Sequence, residues 1–302
     1  MSRLFLTLFA VQLVGMACGT APVEDTPRAP ERSAGKFDAA QAPSPPVAPE
    51  PLALDSREFK LMLDPELFVG DFDAAVADLE NDLDEAADEA IERDLDGHFE
   101  LDRERQIQFF DVAGSCLLRA KGYALRERQA DDDREITLKF RSSDPAQVQM
   151  GGTEAAGAEY KLEEDVTAER SIFSSSTTIA TDAELTNTGE LSQLFSGLAL
   201  ADQVLTVVAD TQVYEQVYRG AMVDVGAVDA RVTLTLWYRH QDDEAPWLVE
   251  LSFKVKLDDE LPDKTHERAA ALFEAWLGEE QWQSPTGATK TASVYAATDF
   301  CY

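Results

Sequence analysis

The sequence predicts an α+β domain, a mostly antiparallel eight-stranded β-barrel with helices packed on its outside. Two observations carry this. Eight runs alternate apolar and polar residues with the period-two spacing of half-buried strands, against three helical patterns. Strands and helices do not alternate along the chain, as a parallel sheet with crossover helices would require.

The elements follow in order. Arg3 precedes an apolar stretch from Leu4 to Val14, and small residues lead to Cys18. Residues 1–17 read as a secretory signal peptide, too short to span a bilayer. Gly15-Met16-Ala17-Cys18 resembles a bacterial lipobox, in which the cysteine is lipidated and becomes the new N-terminus, although Gly15 stands where leucine is usual. Residues 18–54 are rich in alanine and proline, with Pro43-Ser44-Pro45-Pro46 and Pro49-Glu50-Pro51, and have little to bury. They are expected to form a disordered linker between the lipid anchor and a single domain at 55–302. Gly19 follows the cysteine in place of an inner-membrane-retaining aspartate. The expected location is the bacterial cell envelope, at the outer membrane facing the periplasm.

Strands are expected near Arg57–Leu63, Gln106–Asp111, Gly122–Gln129, Glu135–Arg141, Glu159–Val166, Gln212–Arg219, Arg231–Arg239 and Leu248–Lys256. Helical patterns fall at Phe72–Leu95, Glu190–Leu200 and Asp263–Gly278. In the first helix Phe72, Val76, Leu79, Leu83 and Ala87 recur at helical spacing while Asp and Glu fill the other faces, the pattern of a solvated amphipathic helix.

Charge narrows the function. With 58 acidic against 26 basic side chains the chain carries −32, which argues against nucleic acid as a partner. Against that background the run from Gly122 to Arg141 stands out. Arg126 and Arg128 share one face of the first strand, and Thr137, Lys139 and Arg141 share one face of the second. Ile136, Leu138 and Phe140 point the other way, and Asp131 to Asp133 form the turn. A hairpin with one cationic face wants an anion. Cys116 and Cys301 are free to pair in an oxidising compartment. Other chemistries find no support: His266-Glu267 lacks the second histidine of a zinc-protease motif, Gly151 to Gly157 lacks the lysine of a phosphate-binding P-loop, and no GxSxG elbow occurs.

The run QFFDVAGSCLLRAKGYALRERQADDDREITLKFR resembles the core of the CYTH superfamily, the triphosphate tunnel enzymes. An FD pair (Phe110-Asp111), Leu117-Leu118, Gly122, an LRxR strand (Leu125 to Arg128) and a TLK strand (Thr137 to Lys139) follow in the family's order. The resemblance implies a barrel open along its axis, binding a triphosphate, polyphosphate or related phosphorylated anion. Inward cations would hold the phosphoryl oxygens and glutamates would hold Mg2+ or Mn2+. Arginine suits such a cradle because its planar fork meets phosphate oxygens in pairs.

Carried onto this chain, the phosphate-binding set is Lys60, Arg126, Arg128, Lys139, Arg141, Lys161, Arg219, Lys254 and Lys256. The metal set is Glu58, Glu163 and Glu250. Two expected glutamates are missing, since the family's opening ExExK is Ser56-Arg57-Glu58-Phe59-Lys60 and its late ExE is Glu250-Leu251-Ser252. Metal-dependent hydrolysis therefore stands beside binding without turnover, and an inactive structural or interaction domain of the envelope is the alternative.

Overall fold

The computed structural model describes residues 53–131, 133–257, 261–297 and 299–301. The expected signal peptide, the lipobox-like run ending at Cys18 and nearly all of the expected linker lie outside the described residues. Inside them, the strand residues close a barrel. Strand β1 (Ser56–Leu63) leads through a 3-10 turn into α1 (Phe72–Ile91), then β2 (Leu95–Asp96) and β3 (Glu100–Asp111). A short α2 (Leu117–Ala120) precedes the hairpin β4 (Tyr123–Ala130) and β5 (Asp133–Ser142). Next come α3 (Pro145–Gly151), β6 (Glu159–Thr167), β7 (Ser171–Ala180), α4 (Thr188–Leu194), β8 (Thr206–Asp224), β9 (Asp229–Tyr238), β10 (Leu248–Lys256), α5 (Asp263–Gly278) and α6 (Lys290–Ala296).

The sheet runs β2-β8-β3-β4-β5-β7-β6-β1-β10-β9, and β9 pairs back onto β8. Nine strands thus close the barrel and β2 hangs at its side, which corrects the expected eight. The added strand is β7. It lies between β5 and β6, with Ser176 opposite both Lys139 and Lys161. The pairing is also not wholly antiparallel, because β1 runs parallel to β6, Ser56 facing Glu163. The helix expected over Glu190–Leu200 is the shorter α4, and the first helix stops at Ile91, where Glu92 takes the left-handed conformation that ends it.

Period two sorts the side chains between inside and outside. On β1 Phe59, Leu61 and Leu63 point outward, as do Val249, Leu251 and Phe253 on β10 and Val232, Leu234 and Leu236 on β9. This apolar outer face is covered by α1, through Val76, Leu79 and Leu83, and by α5, through Ala269, Leu272, Phe273 and Trp276. The Trp276 indole donates to the Leu83 carbonyl at 3.0 Å, joining the two helices. α1 starts where the Asp71 carboxylate accepts from the Ala74 amide at 3.2 Å, and three of its carboxylates tie it to neighbours: Glu80 accepts from the Phe99 amide at 2.6 Å, Asp84 from the Leu95 amide at 2.7 Å and Asp82 from the Trp282 indole at 2.7 Å. A second outer patch, Leu125, Ile136 and Leu138, is covered by Leu191 and Phe195 of the α4 segment.

Two glycines are required by close approach. Gly122, at φ +84°, opens β4, and a Cβ there would stand 2.9 Å from the Phe140 ring. Gly220, at φ +130°, sits in the register shift between Arg219 and Met222, where a Cβ would collide with the His98 carbonyl. That shift turns Ala221 and Val223 outward into the helix-covered core.

Candidate anion site in the barrel

The interior holds a cavity of about 780 Å³. One wall is the β4–β5 hairpin. Arg126 faces Thr137, and Ala124 faces Lys139, so the two strands alternate cations with small residues across one surface. Arg126, Arg128, Lys139 and Arg141 all line the cavity. The Nε atoms of Arg126 and Arg128 are buried and have no hydrogen-bond partner among the described residues. Burial, and then Arg128 beside it, push Arg126 well below the usual arginine value; burial brings Arg128 down to about 10. Glu215 attracts both guanidinium groups, but this does not offset the cost of burying them. β7 makes room for it: Ser176 and Thr178, small hydroxyl residues, line the cavity beside the hairpin.

The opposite wall comes from β1, β6 and β10 and alternates charge. Lys60 contacts Glu58 at 3.1 Å and Asp165 at 2.8 Å. Lys139 reaches Asp165 at 3.2 Å, and Lys254 reaches Glu163 at 2.6 Å. Burial alone would raise the carboxyls, but Lys60 and Lys254 outweigh it at Glu58 and hold it at about 2. Against the same burial penalty, Lys139 and Lys60 keep Asp165 well below the usual carboxylate range, and Lys139 and Lys254 lower Glu163. On the cation side, burial brings Lys139 to about 8, while at Lys60 burial is overcome by Glu58 and Asp165 and the pKa rises.

Glu58, Glu163 and Asp165 bring one carboxylate oxygen each within 4.8 Å of the others. Three oxygen donors of this kind fit a hard divalent cation such as Mg2+ or Mn2+, which would neutralise phosphoryl oxygens next to it. Each donor already faces an ammonium group, so an ion enters by displacing lysine. The two serines found in place of glutamates are both buried here, and the Ser56 hydroxyl donates to Glu163 at 3.3 Å.

The C-terminal segment forms an end wall. Ser284, Thr289, Lys290 and Tyr295 line the cavity, and Phe109, Trp237, Val294 and Tyr295 form an apolar cluster there. Lys290 pairs with Glu250 at 2.9 Å and stands 5.2 Å from the centre of the Trp237 ring. The Tyr295 hydroxyl donates to Asp111 at 3.0 Å, and burial raises its pKa. Asp111, fully buried, also accepts from the amides of Val112, Leu118 and Arg119. This explains the aspartate of the FD pair as a cap for α2 and an anchor for the end wall. Cys116 and Cys301 are joined in a disulfide with Cα atoms 5.4 Å apart. Below Trp237, Glu215 accepts from its indole at 2.7 Å and pairs with Arg105. Burial would raise the Glu215 carboxyl, yet Arg128 and Lys290 bring it to about 2.

Seven of the nine cations expected to face inward line this cavity: Lys60, Arg126, Arg128, Lys139, Arg141, Lys161 and Lys254. Lys161 sits at its rim, paired with Glu159 at 3.0 Å. Lys256 and Arg219 do not line it. Lys256 is exposed at the end of β10, and Arg219, beside the β8 bulge, pairs with Asp102 at 3.0 Å. Among the carboxylates, Glu250 lines the cavity but is held by Lys290, and Asp165 takes its place in the cluster. Asp165 follows Glu163 at period two, the one sequence signal that marks it. Arg119, Arg170 and Lys290 line the cavity from helices and a turn, where no strand period could reveal them. Ten lysines and arginines line it against five carboxylates, in a chain of net charge −32.

The barrel thus closes around a cation-rich chamber with carboxylates gathered on one wall. No family model matches the chain, and no curated protein does. Among solved structures, a putative adenylyl cyclase from Hippeastrum, reported to have a dominant triphosphatase activity, aligns over 80% of this chain and 95% of its own, at 16% identity and a TM-score of 0.42. A putative adenylate cyclase from Bacillus halodurans aligns over 78% and 95%, at 12% identity and a TM-score of 0.39. A protein from Pyrococcus horikoshii OT3 aligns over 80% and 99%, at 13% identity and a TM-score of 0.34.

Proposed function

We propose that this chain is a CYTH-like barrel that binds inorganic triphosphate, polyphosphate or a related phosphorylated anion, carried on a lipid anchor at Cys18 in a bacterial cell envelope. The observation that carries the binding is the hairpin wall, where the buried Nε atoms of Arg126 and Arg128 have no hydrogen-bond partner among the described residues and both side chains line a chamber of about 780 Å³. Phosphate oxygens supply the acceptors these donors lack, in the paired geometry that guanidinium favours. The order of the FD, LRxR and TLK elements supports the same ligand class.

A second reading, metal-dependent hydrolysis, is favoured by the Glu58–Glu163–Asp165 cluster. A cation there would neutralise the transferred phosphoryl group. Titrating the protein with tripolyphosphate by calorimetry, with EDTA and then with Mg2+ or Mn2+, tests binding. Following phosphate release in the same samples tests turnover. Binding without release keeps the first reading and removes the second; no binding in any condition removes both. The anchor is tested separately, by labelling cells with a radioactive fatty acid and asking whether Cys18→Ala loses the label.

A further inference from the structure

The end wall of the chamber is closed by chain that follows the last strand. It is the segment from Ser284 to Cys301, and it brings the Lys290 ammonium into the cavity. One of the three ammonium hydrogens is used by Glu250, 2.9 Å away, and the group stands over Trp237, on a wall shared with the anion chamber. The segment belongs to the barrel through several ties. They are the Lys290–Glu250 pair, the Tyr295–Asp111 hydrogen bond, the Arg119 guanidinium 4.7 Å from the centre of the Tyr295 ring, the Ser284 amide donating to the Met62 carbonyl and the Gly114 amide to the Phe300 carbonyl, each at 2.8 Å, the packing of buried Val294 and Tyr295, and the Cys116–Cys301 disulfide. The disulfide lies at the far end of the segment from Lys290 and closes it against the loop that carries the Asp111 cap. Cys116 is buried, while Cys301 is exposed and open to a reductant.

Resting on the anion-binding reading above, we infer that Lys290 is a ligand-contacting cation of the chamber and that the Cys116–Cys301 disulfide is the positioning element that keeps it there. Oxidised protein has a fixed end wall and a full set of cations. Reduction by a dithiol delivers two electrons and two protons, turning the bond into two thiols while the dithiol becomes a cyclic disulfide. The end wall is then held by one ion pair, the Tyr295 contacts, two backbone bonds and apolar packing, no covalent tie fixes its far end, and Lys290 is released from its fixed place. Anion affinity in this protein thereby follows its thiol state.

The test is a double-mutant cycle on the full chain. Tripolyphosphate dissociation constants are measured by calorimetry for the native sequence and for Lys290→Met, each oxidised and each after dithiothreitol. Far-UV circular dichroism confirms that all four samples stay folded at the temperature used. Should dithiothreitol unfold the chain, Cys116→Ser with Cys301→Ser, measured at lower temperature, replaces it. Expected are about tenfold weaker binding for Lys290→Met when oxidised, a similar weakening for the native sequence on reduction, and less than a twofold further change when both are combined, because either route removes the same charge-assisted hydrogen bond. Lys290→Arg, which keeps the charge, should bind within about threefold of the native protein. Additive effects, or a native affinity unchanged by reduction, overturn the inference and leave anion binding standing. Failure of the oxidised native protein to bind overturns the anion-binding reading itself, and the inference with it.

Discussion

Replacing Arg126 by methionine should stabilise the unliganded protein and weaken anion binding, two effects of opposite sign from one side chain. The Arg126 Nε is buried without a hydrogen-bond partner among the described residues, and burial together with Arg128 depresses the guanidinium well below its ordinary value. Leaving a buried polar donor unsatisfied costs about 1–3 kcal/mol. The rest of the side chain is only half-buried and meets the chamber, where water reaches it, so the low end of about 1 kcal/mol applies. Methionine fills a similar volume with no donor to satisfy and relieves the repulsion on Arg128. For a domain of this size about 1 kcal/mol corresponds to a Tm higher by roughly 2–4 °C. The same substitution removes the paired guanidinium–phosphate hydrogen bonds, and tripolyphosphate affinity should fall by about ten- to a hundredfold, the worth of one or two charge-assisted hydrogen bonds. Differential scanning calorimetry gives the first quantity and isothermal titration the second. A lower Tm would mean that Arg126 has a partner the structure does not provide. An unchanged affinity would mean that the hairpin wall does not touch the anion.

Glu215 supplies a pH dependence. Its carboxyl is held at about 2 against an ordinary 4.5, so its contribution is complete above about pH 4.5 and is lost as the pH falls toward 2. On the order of 3 kcal/mol is involved, and urea unfolding should show the gap between native protein and Glu215→Gln closing over that range; a constant gap would contradict the assignment. Reducing the disulfide, which links positions 185 residues apart, should lower unfolding free energy by up to about 5 kcal/mol in guanidinium titrations. Asp165→Asn should remove any Mn2+ signal in electron paramagnetic resonance titrations of the chamber, and Glu250→Gln should leave it, because Asp165 belongs to the carboxylate cluster and Glu250 is held by Lys290. The reverse outcome would restore Glu250 to the metal set. Gly220→Ala should destabilise by about 2 kcal/mol or more in the same unfolding assay, since the left-handed backbone and the His98 carbonyl both refuse a Cβ.

The sequence made the barrel legible wherever a strand has an apolar outer face. β10 shows why: Val249, Leu251 and Phe253 had to meet a helix, and that need writes period two into the chain. β7, SIFSSSTTIA, escaped because its inward Ser174 and Ser176 and outward Ser175 and Thr177 are alike in polarity. Serine and threonine runs usually mark loops. Here they lie low so that lysines and arginines on neighbouring strands can cross the chamber, and Thr177 accepts from Thr153 at 3.2 Å on the outside. The cations of β4 and β5 were legible from alternation alone. Arg219 and Lys256 were not separable from them, because alternation gives a face but not a height along the barrel. Arg219 lies beside the bulge near one end, and Lys256 at the last residue of β10. The exchange of Asp165 for Glu250 turned on a lysine from α6, a long-range partner with no local trace.

The parallel seam between β1 and β6 has a kinetic consequence. Lys60 and Glu58 acquire their neighbours on one side from Asp165 and Glu163 and on the other from Ser252 and Lys254, so the first strand waits for segments made far later in the chain. Loop closure over such separations slows the search for native pairings. Until both flanks arrive, β1 has two unsatisfied edges and its outward Phe59, Leu61 and Leu63 lack the cover of α5. Folding of this barrel should therefore show a late step in which the anion chamber and the apolar shell form together, and a polyanion present during refolding would speed that step only if it recruits the strands through their charges.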